Sequence, residues 1–536
     1  WPTSVQLPNV HAEVEGALKR ADLRYFRAKF PHLSFSWSDL ESSVWTVQEP
    51  DSLFDGCLRK FSMWHWALGR SNGYPHVKSA MSELYGSNHK LANSLLTMAK
   101  DPLGDRPQPA LIHTDEALDH LYRFMRVNLE QKVSIPFTLK PLEDMYLGAS
   151  NGLNDGKNFV IKDPDILHDI HVSPKGKKID TFEQDVNDIL HYLSTGKEPP
   201  IYWSQVPKDE TSTSFEKQFS PEQMKQWQEK LRIFSIPSSI YILLEKLVSR
   251  IRHLKERGWS IQIGRPWAKA GADFLAKCLK VNLQNCFSPD LGEGDGKLFD
   301  QSVFETFINL YWSTMLVHLD PNMTDFPIFE KVCKFLLRNM LHRVTKIFAD
   351  IWVTIRDGVP SGAYNTSHMD SFVMLMYFCL FSVFQIHNAP EQDREALELE
   401  FLEIVAIIVY GDDFLYRKGL GLASVYLSVH AFAAFMYKYF NVRIRDIKDG
   451  IPFCSKVKDG WIVTPGATFL KHQFIINPNT GPGQAIFLPF RESREFLIRA
   501  IWGRIPRFRD VIDTMLSVIG HAYGTYASNM DAYNRL

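Results

Sequence analysis

The chain lacks the excess of basic residues that usually marks a protein bound to nucleic acid. Its 60 Lys and Arg face 61 Asp and Glu, for a net charge of −1. It also lacks paired cysteines. Cys57, Cys278, Cys286, Cys333, Cys379 and Cys454 are scattered, with no CxxC spacing. That excludes the usual signatures of a disulfide framework or a zinc site and points to a reducing compartment. No internal repeat and no low-complexity tract is present. Trp1 to Val10 shows no basic stretch followed by an apolar one, so no signal peptide is expected. The longest apolar run, Phe372 to Ile386, falls short of the roughly 20 residues a membrane helix needs. It continues a polar segment, so a helix buried inside the protein is expected there and no membrane partner. HExxH, GxxxxGK[ST] and GxSxG are all missing, and the histidines form no recognisable constellation.

What is present fits a soluble globular enzyme: 536 residues, 45% hydrophobic and 23% charged, with enough aromatics for a large core without disulfides. The length exceeds a single-core domain and predicts three or four subdomains. Charge is unevenly spread. From Leu243 to Lys280, Lys246, Arg250, Arg252, Lys255, Arg257, Arg265, Lys269, Lys277 and Lys280 outnumber Glu245, Glu256 and Asp273. From Arg491 to Arg509, six arginines face two glutamates. Local basic stretches in a neutral chain suit a polymer threaded through an interior channel, although charge alone fits two solvated helix faces equally well.

Apolar spacing predicts helices over Ala12–Phe30, Ala117–Gln131, Pro221–Lys255, Phe304–Val317, Ile328–Phe348, Gly421–Tyr439 and from Arg491 onward. Residues 145–215 are rich in Gly, Asp, Lys and Pro and predict long loops. Glu403–Tyr410 and Val442–Ile447 read as strands. The mixture is α+β, a few strands backed by helices.

Three short motifs carry the chemistry. Tyr410-Gly411-Asp412-Asp413 follows a buried strand, and Gly411 can supply a positive φ, so a β-hairpin with two carboxylates at its tip is expected. Adjacent aspartates there repel and are desolvated, and a divalent cation would relieve both costs. Asp295 and Asp300 form an Asp-x4-Asp pair 117 residues before Asp412, a pattern that is weak when alone. Between them lies Pro360-Ser361-Gly362-Ala363-Tyr364-Asn365-Thr366-Ser367-His368-Met369-Asp370-Ser371. Its small residues let backbone approach a nucleotide, and Thr366 and Asp370 share one face of the helix that follows.

In this order the three motifs resemble the palm of viral RNA-dependent RNA polymerases, over roughly residues 265–474. The wording GVPSGAYNTSHMDS, with Asp370 where many families carry Asn, is most similar to partitiviruses, with picobirnaviruses next. The resemblance implies a right-hand polymerase of fingers, palm (an antiparallel sheet backed by helices) and thumb, closed around an RNA tunnel. Its expected divisions are an extension over 1–70, fingers over 71–285, palm over 286–475 with inserted finger helices at about 311–355, and thumb over 476–536. Asp295 and Asp412, assisted by Asp413, would hold two Mg²⁺ or Mn²⁺ ions. Asp300 would accept from the ribose 2′-hydroxyl, supported by Thr366 and Asp370. Ionised Asp only accepts, whereas Asn also donates, so Asp300 is favoured in that role.

Ser361 and Gly362 would line the nucleotide site. Arg265 and Lys269 would grip the triphosphate. Lys448 resembles a general acid towards pyrophosphate, with Lys456 and Lys458 as competitors. Gly411 and Lys471, the latter within Phe469-Leu470-Lys471, would contact RNA. Ser71 to Pro75 faintly resembles a template-guiding motif. Implied partners are template and product RNA, ribonucleoside triphosphates and a capsid protein, and the implied location is the virion interior within host cytoplasm. The rival readings are a reverse transcriptase and a catalytically inactive RNA-binding or virion-structural protein. Asp300 and SGAYNT argue against the first, and the complete set of acidic residues against the second.

Overall fold

The computed structural model describes residues 33–37, 114–126, 132–138, 159–161, 170–172, 179–198, 201–207, 233–249, 259–265, 267, 270–297, 299–348, 351–355, 358–458, 461–479, 481, 483–491 and 528–529. The expected helices over Ala12–Phe30 and beyond Arg491, Lys269, the Ser71–Pro75 motif and most of the expected thumb lie outside the described residues.

Among the described residues the order opens with β1 (Leu33–Trp37), α1 (Thr114–Met125), β2 (Phe159–Ile161), β3 (Ile170–Val172), α2 (Ile179–Ser194), β4 (Tyr202–Pro207) and β5 (Ile233–Pro237). Next come α3 (Ser239–Val248), α4 (Gly271–Cys278), β6 (Leu291–Lys297), α5 (Phe299–Ser302), α6 (Glu305–Val317) and α7 (Phe326–Leu341). Then follow β7 (Arg343–Phe348), β8 (Ile351–Ile355), α8 (Thr366–Asn388), α9 (Glu391–Glu403), β9 (Ala406–Tyr410) and β10 (Asp413–Arg417). The last elements are α10 (Leu422–Tyr426), α11 (Val429–Phe440), β11 (Arg443–Ile451), β12 (Lys456–Lys458), β13 (Trp461–Thr464), β14 (Thr468–Phe469), β15 (His472–Ile476) and β16 (Phe487–Phe490).

Several expectations are corrected. The helix expected over Pro221–Lys255 contains β5, because Ile233–Pro237 pairs antiparallel with β4 and that pairing overrides its helical periodicity. The helix over Ile328–Phe348 stops at Leu341, and the alternating Arg343–Phe348 joins the sheet between β4 and β8. The region expected to be loops holds the 16-residue α2. The helix over Gly421–Tyr439 breaks at Leu427–Ser428, where the Ser428 hydroxyl caps α11 by accepting from the Ala431 amide. The helix expected to reach Gln131 ends at Met125, where Arg126 turns left-handed.

Two sheets organise the rest. A five-stranded sheet runs β1-β8-β7-β4-β5. The second, of order β11-β6-β10-β9, is wholly antiparallel. Its neighbours on both faces are apolar, which is why Ala406–Val409 is hydrophobic at every position. Ile407, Val409, Phe414 and Tyr416 face the core built on α8, whereas Ile408, Leu415 and Leu291 face α4, Phe453, Phe469 and Phe474. By length and composition α8 could cross a membrane, yet 89% of its most apolar window is buried in the protein.

The central strand β6 reads LGEGDGK, and its alternation sorts the two faces. An added Cβ on Gly292 would sit 2.2 Å from the Val429 side chain of α11, and one on Gly294 would sit 2.7 Å from the Phe414 ring. Only glycine lets those groups close on the strand. Glu293 and Asp295 consequently point to the other face. Gly292→Ala is expected to cost about 1–3 kcal/mol through overpacking against Val429. Urea unfolding measures it, and a loss below about 0.5 kcal/mol would contradict the close approach.

Candidate active site

Strands β9 and β10 join through a two-residue turn, Gly411-Asp412, with Tyr410 opposite Asp413. Gly411 takes the positive φ (64°) expected of a glycine leading such a turn. Asp412 therefore sits alone in the turn, and Asp413 opens β10 directly opposite Asp295 of β6. The turn is tied down from two sides. The Gly411 amide donates to Ser371 Oγ on α8 at 2.7 Å, and the Gly296 amide donates to the Asp412 carbonyl at 3.0 Å.

These ties bring Asp295 and Asp412 within hydrogen-bonding reach of each other although 117 residues separate them. Burial, reinforced by the charge of Asp412, pushes the Asp295 carboxyl up to about 7, against the pull of Arg445. Arg445, opposite Asp295 on β11, donates to one of its oxygens through Nε (2.5 Å) and Nη2. Nothing in the sequence motifs pointed to Arg445.

Asp413 lies opposite Asp295, close enough for the charges of Asp295 and Asp412 to act on it, and is also tied to a neighbouring turn. Its Oδ2 accepts from the Leu470 amide at 2.8 Å, so the carboxylate is turned towards the β14–β15 turn. Burial still holds its carboxyl well above the ordinary range, with Asp295, Asp412 and Glu293 adding to the push. Leu470 and Lys471 occupy that turn with φ of 50° and 61°, a left-handed pair unusual for residues other than glycine or asparagine. The Asp413 bond and the Arg491 Nη2 bond to the Leu470 carbonyl (3.0 Å) hold it, and Lys471 is left exposed.

Lys448 lies opposite Glu293, two residues before Asp295. It is ion-paired with the buried Glu293 carboxylate and also donates to Thr468 Oγ1 at 3.3 Å. Glu293 in turn accepts the Thr468 amide at 2.5 Å. Any proton donation by Lys448 would thus begin from an ion pair with Glu293. Lys456 and Lys458 lie on the exposed positions of β12.

The 358–366 loop reaches the same centre. The Val359 amide donates to the Asp300 carbonyl at 2.6 Å, coupling the loop to the Asp-x4-Asp segment. The Thr366 hydroxyl lies 2.5 Å from the Pro360 carbonyl and 3.0 Å from that of Ala363, so it closes the loop on itself. Gly362 is pressed on β5, where a Cβ would meet the Ser235 carbonyl at 2.3 Å, and Ser361 beside it is half-buried. Asp370 is buried, and burial together with the charges of Asp300 and Asp412 holds its carboxyl well above the ordinary range. That favours the protonated form, which can donate as well as accept, as an asparagine does.

Arg265 is placed by an arrangement that the motifs did not disclose. Residues 260–262 lie parallel to β9, with the Val409 amide donating to the Ser260 carbonyl (2.8 Å) and the Gln262 amide to the Val409 carbonyl (3.0 Å). Arg265 follows within three residues, stacked 3.6 Å over the Phe274 ring.

Among the described residues, no three His, Cys, Asp or Glu side chains form a ready-made metal cage. The donors nevertheless suit a hard divalent cation: two converging, mutually repelling carboxylates, that of Asp295 largely buried, with Arg445 supplying part of the missing positive charge.

The raised Asp295 carboxyl has a consequence for stability. The unfolded chain releases this proton near pH ~3.9, whereas the native protein keeps it to about 7. Native protein therefore binds more protons over that window, and rising pH lowers its stability there. In metal-free solution, Asp295→Asn is expected to melt at an increasingly higher temperature than the parent as pH rises from 4 to about 7, the gap then levelling. Parallel melting curves across pH would contradict the assignment.

No curated protein matches the chain. Among solved structures it is similar to the Sicinivirus 3Dpol RNA-dependent RNA polymerase, with a TM-score of 0.52 and 14% identity over 81% of this chain and 80% of that one. That likeness concerns the fold, and it agrees with the right-hand polymerase architecture. The profile of viral RNA-dependent RNA polymerases matches residues 180–475, more than half of the sequence, so the chain belongs to that family and is a polymerase of RNA.

Proposed function

We propose that this polymerase copies an RNA template from ribonucleoside triphosphates by two-metal nucleotidyl transfer, replicating and transcribing the genome of a double-stranded RNA virus. The observation that carries the mechanism is the convergence of Asp295, from strand β6, and Asp412, from the β9–β10 turn, on one point. When bound there, two Mg²⁺ or Mn²⁺ ions would lower the pKa of the RNA 3′-hydroxyl and neutralise the departing pyrophosphate.

The chain's own residues do the rest. Asp295 and Asp412 are the ion-holding carboxylates. Asp413 would assist them while its Oδ2 also ties the hairpin to the Leu470 amide, and Arg445 supplies positive charge beside Asp295. Asp300 accepts from the ribose 2′-hydroxyl, supported by Asp370, whose carboxyl burial and the charges of Asp300 and Asp412 push well above the ordinary range. Thr366 fixes the loop through which Ser361 and Gly362 approach the nucleotide. Arg265, with Lys269, holds the triphosphate. Lys448, on leaving Glu293, protonates pyrophosphate. Gly411 and Lys471 contact RNA at the hairpin turn and the β14–β15 turn.

In this reading, residues 1–70 bridge fingers and thumb, 71–285 and the inserted segment near 311–355 are fingers, 286–475 are palm and 476–536 thumb. The five-stranded sheet supports that assignment, since β7 and β8 from the inserted segment complete it beside β4 and β5. The GVPSGAYNTSHMDS segment favours a partitivirus-like or picobirnavirus-like source. Synthesis would then occur inside a particle in the host cytoplasm, beside a capsid protein.

Purified protein given single-stranded RNA, rNTPs and Mg²⁺ or Mn²⁺ is expected to extend RNA. Asp412→Ala should lower the rate by at least about a hundredfold, about 2.7 kcal/mol in the barrier. Comparable use of dNTPs would favour a reverse transcriptase, and full activity of the variant would overturn the mechanism. Mg²⁺ should raise the melting temperature of the parent more at pH 8 than at pH 6, because it must displace the Asp295 proton. Asp295→Asn should lose that difference, and its persistence in the variant would place the metal elsewhere.

A further inference from the structure

Helix α3 carries a carboxylate that the mechanism does not use. Glu245 stands in the apolar run Tyr241-Ile242-Leu243-Leu244-Glu245 and is fully buried. A buried charge is costly unless it is closely bonded. Both of its oxygens are engaged by the backbone of the 358–366 loop. Oε2 accepts from the Tyr364 amide at 2.6 Å, and Oε1 from the Asn365 amide at 3.2 Å.

Those amides lead directly into α8, whose N-cap Asn365 makes no side-chain cap of its own. The first amides of a helix need acceptors and favour negative charge beside them. Glu245 contributes here from a different part of the fold. The other end of the loop is held by a buried cation, since Arg343 Nη1 donates to the Gly358 carbonyl at 2.7 Å. Between the two anchors, Gly362 lies on Ser235 of β5, the strand that leads into α3. The loop that opens α8, and with it Thr366 and Asp370, is therefore set against β5 and α3 by one carboxylate, one guanidinium and one glycine contact.

We propose that Glu245 is a positioning residue of the nucleotide site: by accepting the Tyr364 and Asn365 amides it holds the loop in the form that recognises the ribose of the incoming nucleotide. The inference rests on the functional reading above, in which Ser361, Gly362, Thr366 and Asp370 belong to that site. A purely structural Glu245 would affect folding and the active fraction. A positioning Glu245 also changes what correctly folded molecules select.

The test is Glu245→Gln, which keeps the shape but puts an amide NH₂ against one of the two backbone N–H groups. Single-nucleotide incorporation is measured per titrated active site, so misfolded protein does not count. The KM for rNTP is expected to rise about fivefold or more, and rNTP-over-dNTP discrimination to fall by a similar factor, from the loss of a charge-assisted hydrogen bond. The KM for template RNA should stay within about twofold, because the proposal assigns the loop's role to the incoming nucleotide. Glu245→Asp retains the charge but is one methylene shorter, and should fall between parent and Gln variant. Amide exchange at Tyr364 and Asn365 should quicken in the Gln variant.

If the titrated Gln variant keeps the parental rNTP KM and discrimination, the proposal fails while the polymerase reading stands. If the parent itself makes no RNA, the functional reading fails, and the proposal with it. Should the Gln variant not fold, the Asp variant decides: parental KM and discrimination there overturn the proposal.

Discussion

Two carboxylates that repel each other are held together at a partly buried point, and much of the surrounding architecture serves to hold them. Asp295 and Asp412 meet because β6 lies beside β10 and because the Gly411–Asp412 turn is pinned by Ser371 and by the Gly296 amide. Left alone, the pair is electrostatically unfavourable, which is visible in the upward push on Asp295. Arg445 relieves part of it from the neighbouring strand. Further positive charge at such a site would relieve the remaining repulsion, which is the basis of the two-metal proposal.

The same face of the sheet continues into a chain of polar ties. Glu293 binds Lys448 and the Thr468 amide, Asp413 binds the Leu470 amide, and Arg491 binds the Leu470 carbonyl. Each tie satisfies a group that burial would otherwise penalise. Together they fix the left-handed Leu470–Lys471 turn against the hairpin, so the exposed Lys471 is presented at a defined place relative to Asp412. On the opposite face the contacts are mainly apolar: Gly292 and Gly294 allow Val429 and Phe414 to close on the strand, while the Val429 amide donates to Asp449 and the Tyr416 hydroxyl to the Leu427 carbonyl.

The fit between sequence motifs and geometry varies with the range of the interaction. The hairpin with its positive-φ Gly411, the strand before it and the buried α8 were legible because each follows from a local pattern. Residues 233–237 and 343–348 are strands and not helix because both pair with β4, which lies well upstream in sequence, on its two edges. The bond from the Leu470 amide to Asp413 has the same origin, since its donor is distant in sequence.

By itself, the sequence determined the order and chemistry of the acidic motifs, the helix that follows the small-residue loop, and the alternation of β6 between glycines and charged residues. Those properties depend on spacings of two to four residues, which backbone geometry translates directly into turns and faces. The tertiary structure alone decided that Arg445 faces Asp295, that Glu293 engages Lys448, and that Glu245 reaches the start of α8. These pairings span roughly 120 to 155 positions. Charge and hydrogen bonding act through space, so a single sequence shows which groups need partners but not which distant ones the fold supplies.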